Sequence, residues 1–253
     1  MRSRWMAAAG LILLAFALSV TAGEPAPLLR IPFLERQSHR EFHPEEGCIF
    51  YGSYPRSINE LLARNPETVA FALNYPSPPE EAVSLAGIPR DTVPLFLQWD
   101  TRWGYAEYGS DVLGITGCGP TCLAMIGYYL TGDEGLTPAW VARFSEEKGH
   151  YASGRGSKWS LFTEGAVQLG LTVAEVPLTE QAMTAALKSG HPLVLSMGPG
   201  AFTVGGHYIV AAGVEPGGFR IHDPNSRIRS RKLWRFDEIE SQIRNVWEFD
   251  YQG

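Results

Sequence analysis

The chain has 253 residues, 45% of them hydrophobic and 19% charged, a balance that suits one packed domain with a smaller appendage and excludes a disordered or fibrous chain. Its net charge is −6 and its one dense basic run is "SRIRSRK" (226–232), so nucleic acid and anionic membranes are poor partners. That run reads as a solvated strand edge or loop. Three cysteines exclude a disulfide-built scaffold, so the fold must rely on its core.

The N-terminus begins with the cationic "MRSRW" and continues as the apolar run "MAAAGLILLAFALSVTAG" (6–23), with Val20-Thr21-Ala22 in small-x-small form ahead of Gly23. This is the layout of a secretory signal peptide, or of an anchor if left uncleaved. The body of the protein is expected to work outside the cytoplasm, secreted or at the cell surface. No membrane contact beyond this leader is expected.

Residues 24–90 are proline-marked and irregular until "SINELLARNPETVAFALNYP" (57–76), where Ser57 and Glu60 have capping-box spacing and Pro66 divides two helical stretches. They form a small helical N-terminal segment, either a pro-region or a lid. From 91 onward the signals are denser. "TVPLFLQW" (92–99) reads as a strand, and "GCGPTCLAMIGYYL" (117–130) as a glycine-rich turn entering a helix. Helices follow at 136–149, with Thr137 as cap and Pro138 in the first turn, and at 160–170. Then come a strand at 171–178, a Thr179-capped helix ending at Gly190, and a strand at 191–198. A β-hairpin over 207–224 turns at "EPGG", and 247–252 makes a last strand. Helices come first and strands collect late, which predicts an α+β domain over 91–253.

Cys118, between Gly117 and Gly119 at the mouth of the helix, is the candidate nucleophile, because a helix N-terminus favours a thiolate. The flanking glycines leave room for a substrate backbone. Cys122, one turn further among apolar residues, reads as packing. The two are badly placed to bond to each other. Cys48 pairs with Cys122, or with Cys118 as a redox lock, or all three stay thiols.

A thiol nucleophile needs a histidine, and a third group to orient the ring. Of six histidines, His39 and His43 lie in the irregular stretch, His150 ends a helix, and His191 and His222 border a Pro and an Asp. His207, in "VGGHYIVAAG", has two glycines clearing space before it and an apolar strand behind it. Asp223, in the returning strand, is a diagonal neighbour of His207 if Gly213 opposes Phe219, and lies on the opposite face if the register slips by one. Gln98, at the end of 92–99, can donate its amide to an oxyanion beside the Cys118 N–H. No HExxH or paired CxxC occurs, and neither metal nor cofactor is expected.

Together, "VPLFLQW", "GITGCGPTCLAMIGYYL", "GHYIVAAGV" and "IHDPNS" resemble the C39-like branch of the papain-type cysteine peptidases, in family order, over about residues 91–250. The resemblance implies a papain-like α+β fold, with the Cys-bearing helix packed on an antiparallel sheet that carries the His and Asp. It implies Cys118, His207 and Asp223 as the catalytic set and Gln98 as oxyanion donor. One departure is the long interval 99–117 between Gln98 and Cys118, which must loop out. Its Trp99 and Trp103, together with Gly117 and Gly206, are expected to line a substrate groove. The activity implied is peptide-bond hydrolysis on a peptide or protein. The alternatives are transpeptidation or amidase action on cell-wall peptides with the same residues, and an idle module that binds peptides without cutting.

Overall fold

The computed structural model describes residues 54–79 and 83–253, all within one compact unit, Tyr51–Gly253. The leader, His39, His43 and Cys48 lie outside the described residues. No described helix is long and apolar enough to cross a membrane.

The described chain begins with α1 (Arg56–Arg64), a 3₁₀ turn at Pro66–Thr68 and α2 (Val69–Asn74). Pro66 thus divides two helices as expected. The Ser57 capping box does not form: Pro55 is the N-cap, with no side-chain cap, so the helix starts ahead of Ser57. Ile58, Leu62, Phe71 and Ala72 are buried, and Phe71 stacks on Tyr105 with ring centroids 4.5 Å apart, which ties this segment to the loop before Cys118.

The strand expected over 92–99 is absent. Val93, Phe96 and Leu97 are buried, so the apolar character reflects packing rather than pairing. Pro94 lacks the N–H a ladder needs, and the Gln98 N–H donates to the Pro224 carbonyl (2.8 Å). The interval before Cys118 loops out as a short hairpin, β1 (Glu107–Tyr108) with β2 (Asp111–Val112), and then α3 (Leu113–Thr116).

Helix α4 (Cys118–Thr131) is nearly all buried; Cys122, Leu123, Ala124, Met125 and Ile126 have no exposed surface. Full burial of each large apolar side chain stabilises by about 1.5–3 kcal/mol, so α4 is an anchor of the core. Helix α5 (Pro138–Glu147) carries the expected cap, with Thr137 accepting from the Trp140 N–H. The hairpin β3 (Tyr151–Ala152) and β4 (Gly156–Ser157) follows, then α6 (Glu164–Gln168), β5 (Thr172–Glu175) and the Thr179-capped α7 (Glu180–Lys188). The rest of the chain is β6 (Leu193–Met197), β7 (His207–Glu215), β8 (Gly218–His222), α8 (Arg227–Arg231), β9 (Leu233–Trp234), α9 (Phe236–Ile239) and β10 (Ile243–Asp250).

These strands form a six-stranded sheet in the order β5-β10-β6-β7-β8-β9, antiparallel at every pairing. Side chains alternate between its faces. Tyr208 and Val210 pack with α4 and α5 on one side, and Ile209 and Ala211 pack with Met183 and Ala186 of α7 on the other. This is the expected α+β arrangement, with the Cys-bearing helix on an antiparallel sheet.

Candidate active site

The β7–β8 hairpin decides whether His207 and Asp223 can meet. The tight turn is Pro216-Gly217, with Glu215 opposite Gly218 and Val214 opposite Phe219. Continued unbroken, that register would put His207 and Asp223 on opposite faces. The pairing shifts between Ala211 and Gly213, leaving Ala212 as the extra residue of a bulge, and beyond it Ala211 faces Ile221 and Val210 faces His222. The bulge moves every side chain of β7 before Ala212 to the other face relative to β8. His207 and Asp223 therefore share a face, and His207 Nε2 lies 2.8 Å from Asp223 Oδ1.

Asp223 has no exposed surface, and its carboxylate is fully engaged. Oδ1 also accepts from the Asn225 N–H (2.8 Å), and Oδ2 accepts from Arg229 Nε. The Asp223 N–H donates to Ser230 Oγ at 2.9 Å. Burial alone would raise the Asp223 pKa, but the charge and hydrogen bond of His207, then those of Arg229, hold it below the usual carboxylate range. An ionised carboxylate only accepts, so His207 Nε2 carries the proton and donates.

His207 is 8% exposed. Burial pushes its pKa down, but the Asp223 charge and hydrogen bond, together with the hydrogen bond and charge of Cys118, outweigh burial and raise it to about 10. Cys118 therefore also acts on this ring, and with Nε2 used by Asp223 the nitrogen left for a thiol is Nδ1. The two cysteines differ sharply. Cys118, the first residue of α4, is partly exposed and free, while Cys122 is free and buried. Burial, helped by the Cys118 and Asp223 charges, pushes the Cys122 thiol well up, so it is inert packing.

Cys118, His207, Gln98 and Gly206 line one open cleft of about 1090 Å³. Its walls come from α1 (Glu60, Leu61, Arg64), the β3–β4 hairpin (Tyr151, Arg155) and the loop 198–206. Trp159 and Val204, 48% and 85% exposed, add apolar surface to it. A smaller cavity of about 420 Å³, lined by residues such as Asp100, Arg102 and Arg227, contains neither Cys118 nor His207.

Gln98 reaches the cleft despite the long interval before Cys118. It is buried, and its Nε2 donates to the carbonyls of Gly114 (3.0 Å) and Ile115 (3.3 Å). Its Oε1 is buried without a partner. Exchanging amide oxygen and nitrogen would set Oε1 against two carbonyl oxygens, so the donor faces α3.

Three expected groove residues are placed elsewhere. Trp99 and Trp103 are 5% and 2% exposed, because each indole N–H is satisfied inside, by the Asn225 carbonyl (3.2 Å) and the Leu97 carbonyl (2.8 Å). Gly117 is spare because of Leu113, not of a substrate: a Cβ there would lie 2.4 Å from Leu113 Cγ. Gly119 similarly makes room for Ser157, whose Oγ would be 2.2 Å from a Cβ. Ser157 belongs to a buried network under the cysteine, in which Tyr108 Oη meets Ser157 Oγ at 2.7 Å and Tyr208 Oη donates to the Ser157 carbonyl at 3.0 Å.

Arg229 is a site residue that the sequence reading misses. "SRIRSRK" is neither a strand edge nor a loop, although Arg227, Ile228, Arg231 and Lys232 are exposed: it folds as α8 after a turn closed by the Ser226 N–H on the Asp223 carbonyl (3.1 Å). Arg229 turns onto Asp223, and Arg227 lies over the Trp99 ring at 4.6 Å. An arginine six residues after a buried Asp is the only signal in the sequence. Among the described residues, no three His, Cys, Asp or Glu side chains converge as a metal site.

Residues 90–252 match the Peptidase_C39 like family. Among solved structures, the peptidase domain of Streptococcus ComA, a bi-functional ABC transporter involved in quorum sensing, is 17% identical with a TM-score of 0.43, covering 58% of this chain and 99% of that domain. A Bacillus anthracis protein assigned as a C39-like peptidase is 16% identical with a TM-score of 0.38, covering 69% of this chain and 100% of that one. No curated protein matches the chain.

Proposed function

The chain belongs to the Peptidase_C39 like family, and we propose that it is an exported cysteine peptidase that hydrolyses peptide bonds through Cys118, His207 and Asp223. The observation that carries this reading is the 2.8 Å contact of His207 with the Asp223 carboxylate, in a cleft of about 1090 Å³ that Cys118 and His207 both line. An idle peptide-binding module has no use for a buried Asp–His pair beside a partly exposed thiol.

The reacting form carries the proton on His207 and a thiolate at Cys118. The thiolate sulfur attacks the scissile carbonyl carbon, forming a C–S bond and pushing the carbonyl electrons onto oxygen. The N–H of Cys118, in the first turn of α4 where amides lack intrahelical acceptors, stabilises that oxyanion. Gln98 adds a second donor by giving up its longer bond, that to Ile115. As the oxyanion collapses the C–N bond breaks, and His207 gives its proton from Nδ1 to the departing amine. Neutral His207 then takes a proton from water, whose oxygen attacks the thioester. The C–S bond breaks, the product leaves as a carboxylic acid that gives its proton to solvent, and thiolate and imidazolium are restored. Asp223 keeps its charge throughout and fixes the ring tautomer.

The test is cleavage of a mixed-sequence peptide library by the full chain, read by mass spectrometry, beside Cys118→Ala and Cys122→Ala. Hydrolysis lost in the first variant and kept in the second supports the proposal. Products joined to an added amine acceptor instead of water would make it a transpeptidase. Peptide retained without cleavage would make it a binding module.

A further inference from the structure

The family match begins at residue 90, yet residues from the helical segment before it touch the Asp223 turn directly. Glu67, in the 3₁₀ turn between α1 and α2, spans the start of α8. Its Oε1 accepts from Ser226 Oγ (2.5 Å) and its Oε2 from the Arg227 N–H (2.9 Å). Ser226 Oγ in turn accepts from the Arg229 N–H (3.1 Å). Asn65, 8% exposed, donates from Nδ2 to the Asn225 carbonyl (2.5 Å), the same oxygen that receives Trp99 Nε1. Asn65 and Glu67 are themselves linked, the Glu67 N–H donating to Asn65 Oδ1 at 3.1 Å.

The residues so held are those that hold Asp223. Asn225 donates its N–H to Oδ1 and Arg229 its Nε to Oδ2. Among the described residues, every polar partner of the Asp223 carboxylate other than His207 therefore hangs from one clamp. A helix as short as α8 (Arg227–Arg231) has little stability of its own, so its N-terminal tie sets where Arg229 can reach. A small displacement of a catalytic group is costly, about 10²-fold for 1 Å.

We propose that Glu67 and Asn65 are positioning residues for the site: the N-terminal helical segment is a built-in part of it, fixing the Asp223 turn so that the carboxylate stays on His207. This segment also forms one wall of the cleft through Glu60, Leu61 and Arg64, which a detachable pro-region would not leave in place. The consequence for turnover rests on the peptidase reading above; the effect on the Asp223–His207 contact does not.

The experiment follows the His207 ring by ¹⁵N NMR across pH in the full chain, in wild type, Glu67→Ala and Glu67→Gln, with kcat and KM measured alongside. The charges facing that ring are Asp223, with Arg229 behind it, and Cys118. Loosening the turn should lower the ring's titration midpoint by about one pH unit or more and kcat by about tenfold or more, with KM little changed. Glu67→Gln, which keeps one acceptor, should fall between and covers the case in which Glu67→Ala does not fold. Thr137→Ala removes the α5 cap, whose bond is to the Trp140 N–H and not to the turn; it should lower the melting temperature while leaving the ring midpoint and kcat at wild-type values. A ring midpoint equal to wild type in both Glu67 variants overturns the inference. Absence of cleavage by the wild type would instead count against the peptidase reading, and the ring titration would still decide the role of Glu67.

Discussion

Arg229 occupies the carboxylate oxygen of Asp223 that His207 leaves free, so one buried acid is shared between an imidazole and a guanidinium. The arrangement balances charge at a residue with no exposed surface. It also fixes the carboxylate from two sides, leaving its catalytic oxygen little freedom to turn away from the ring.

Removing that counterion should be expensive. Arg229→Met keeps the aliphatic stem but leaves Asp223 with half its charge partners. Breaking a buried pair costs on the order of 3 kcal/mol, and urea unfolding at neutral pH should show a loss of about that size. kcat should fall as well. A stability change within about 0.5 kcal/mol of zero would mean that the pair is dispensable.

The pH profile follows from His207. Its pKa is raised to about 10, so its protonated form gains stability from folding that is fully present below about 6.5 and is lost as pH rises through about 10. The proton needed by the leaving amine is held over the same range. The alkaline limb of kcat/KM should therefore lie near pH 10 rather than near that of a free imidazole. Asp223→Asn removes the charge that offsets burial; the limb should move down by more than a unit, with kcat reduced by about 10²-fold or more. A wild-type limb near pH 6.5 would contradict the ring environment described.

The bulge offers a test that touches no polar group. Deleting Ala212 should let the β7–β8 hairpin pair without the shift between Ala211 and Gly213, turning His207 to the face opposite Asp223. The variant should keep a cooperative melt and lose cleavage by more than about 10²-fold. Retained activity would mean that the hairpin takes up the slack elsewhere.

His222 predicts acid sensitivity. Burial is the main cause that lowers its pKa to about 4, against a raising hydrogen bond to the Pro94 carbonyl and a lowering effect of Arg220. Its Nδ1 is buried without a partner. The unfolded chain takes up this proton first, so the stability His222 confers is complete above about pH 6.5 and is lost as pH falls through about 4. The loss should amount to about 3 kcal/mol at most. His222→Gln keeps a donor for Pro94 without a titrating group, and urea midpoints measured from pH 7 to pH 4 should decline less steeply than in wild type.

Much of this was legible because local chemistry and tertiary structure agree. The Thr137 and Thr179 caps, the turn into α4 and the tight hairpin are short-range signals, and all appear in the structure. The sequence does not reveal Ala212 as a bulge, because the shift depends on how both strands pack. It therefore leaves the faces of His207 and Asp223 open. Residues 92–99 mislead because an apolar run looks the same whether it pairs or only packs. Trp99 and Trp103 mislead because an indole beside a site is indistinguishable in sequence from one facing inward. Arg229 and Glu67 are invisible for a related reason: their partners, Asp223 and the start of α8, become neighbours only through the turn they hold.

The central claim is that His207 activates Cys118. Its most direct measurement is the rate of iodoacetamide labelling at Cys118 in the folded, reduced full chain, located by mass spectrometry and repeated in His207→Ala. Cys118 should label rapidly at pH 6 and at least about tenfold more slowly without the imidazole, with Cys122 unlabelled in both until the protein unfolds. Equal rates in the two proteins would show that the ring does not hold the thiol as thiolate, and would contradict the account.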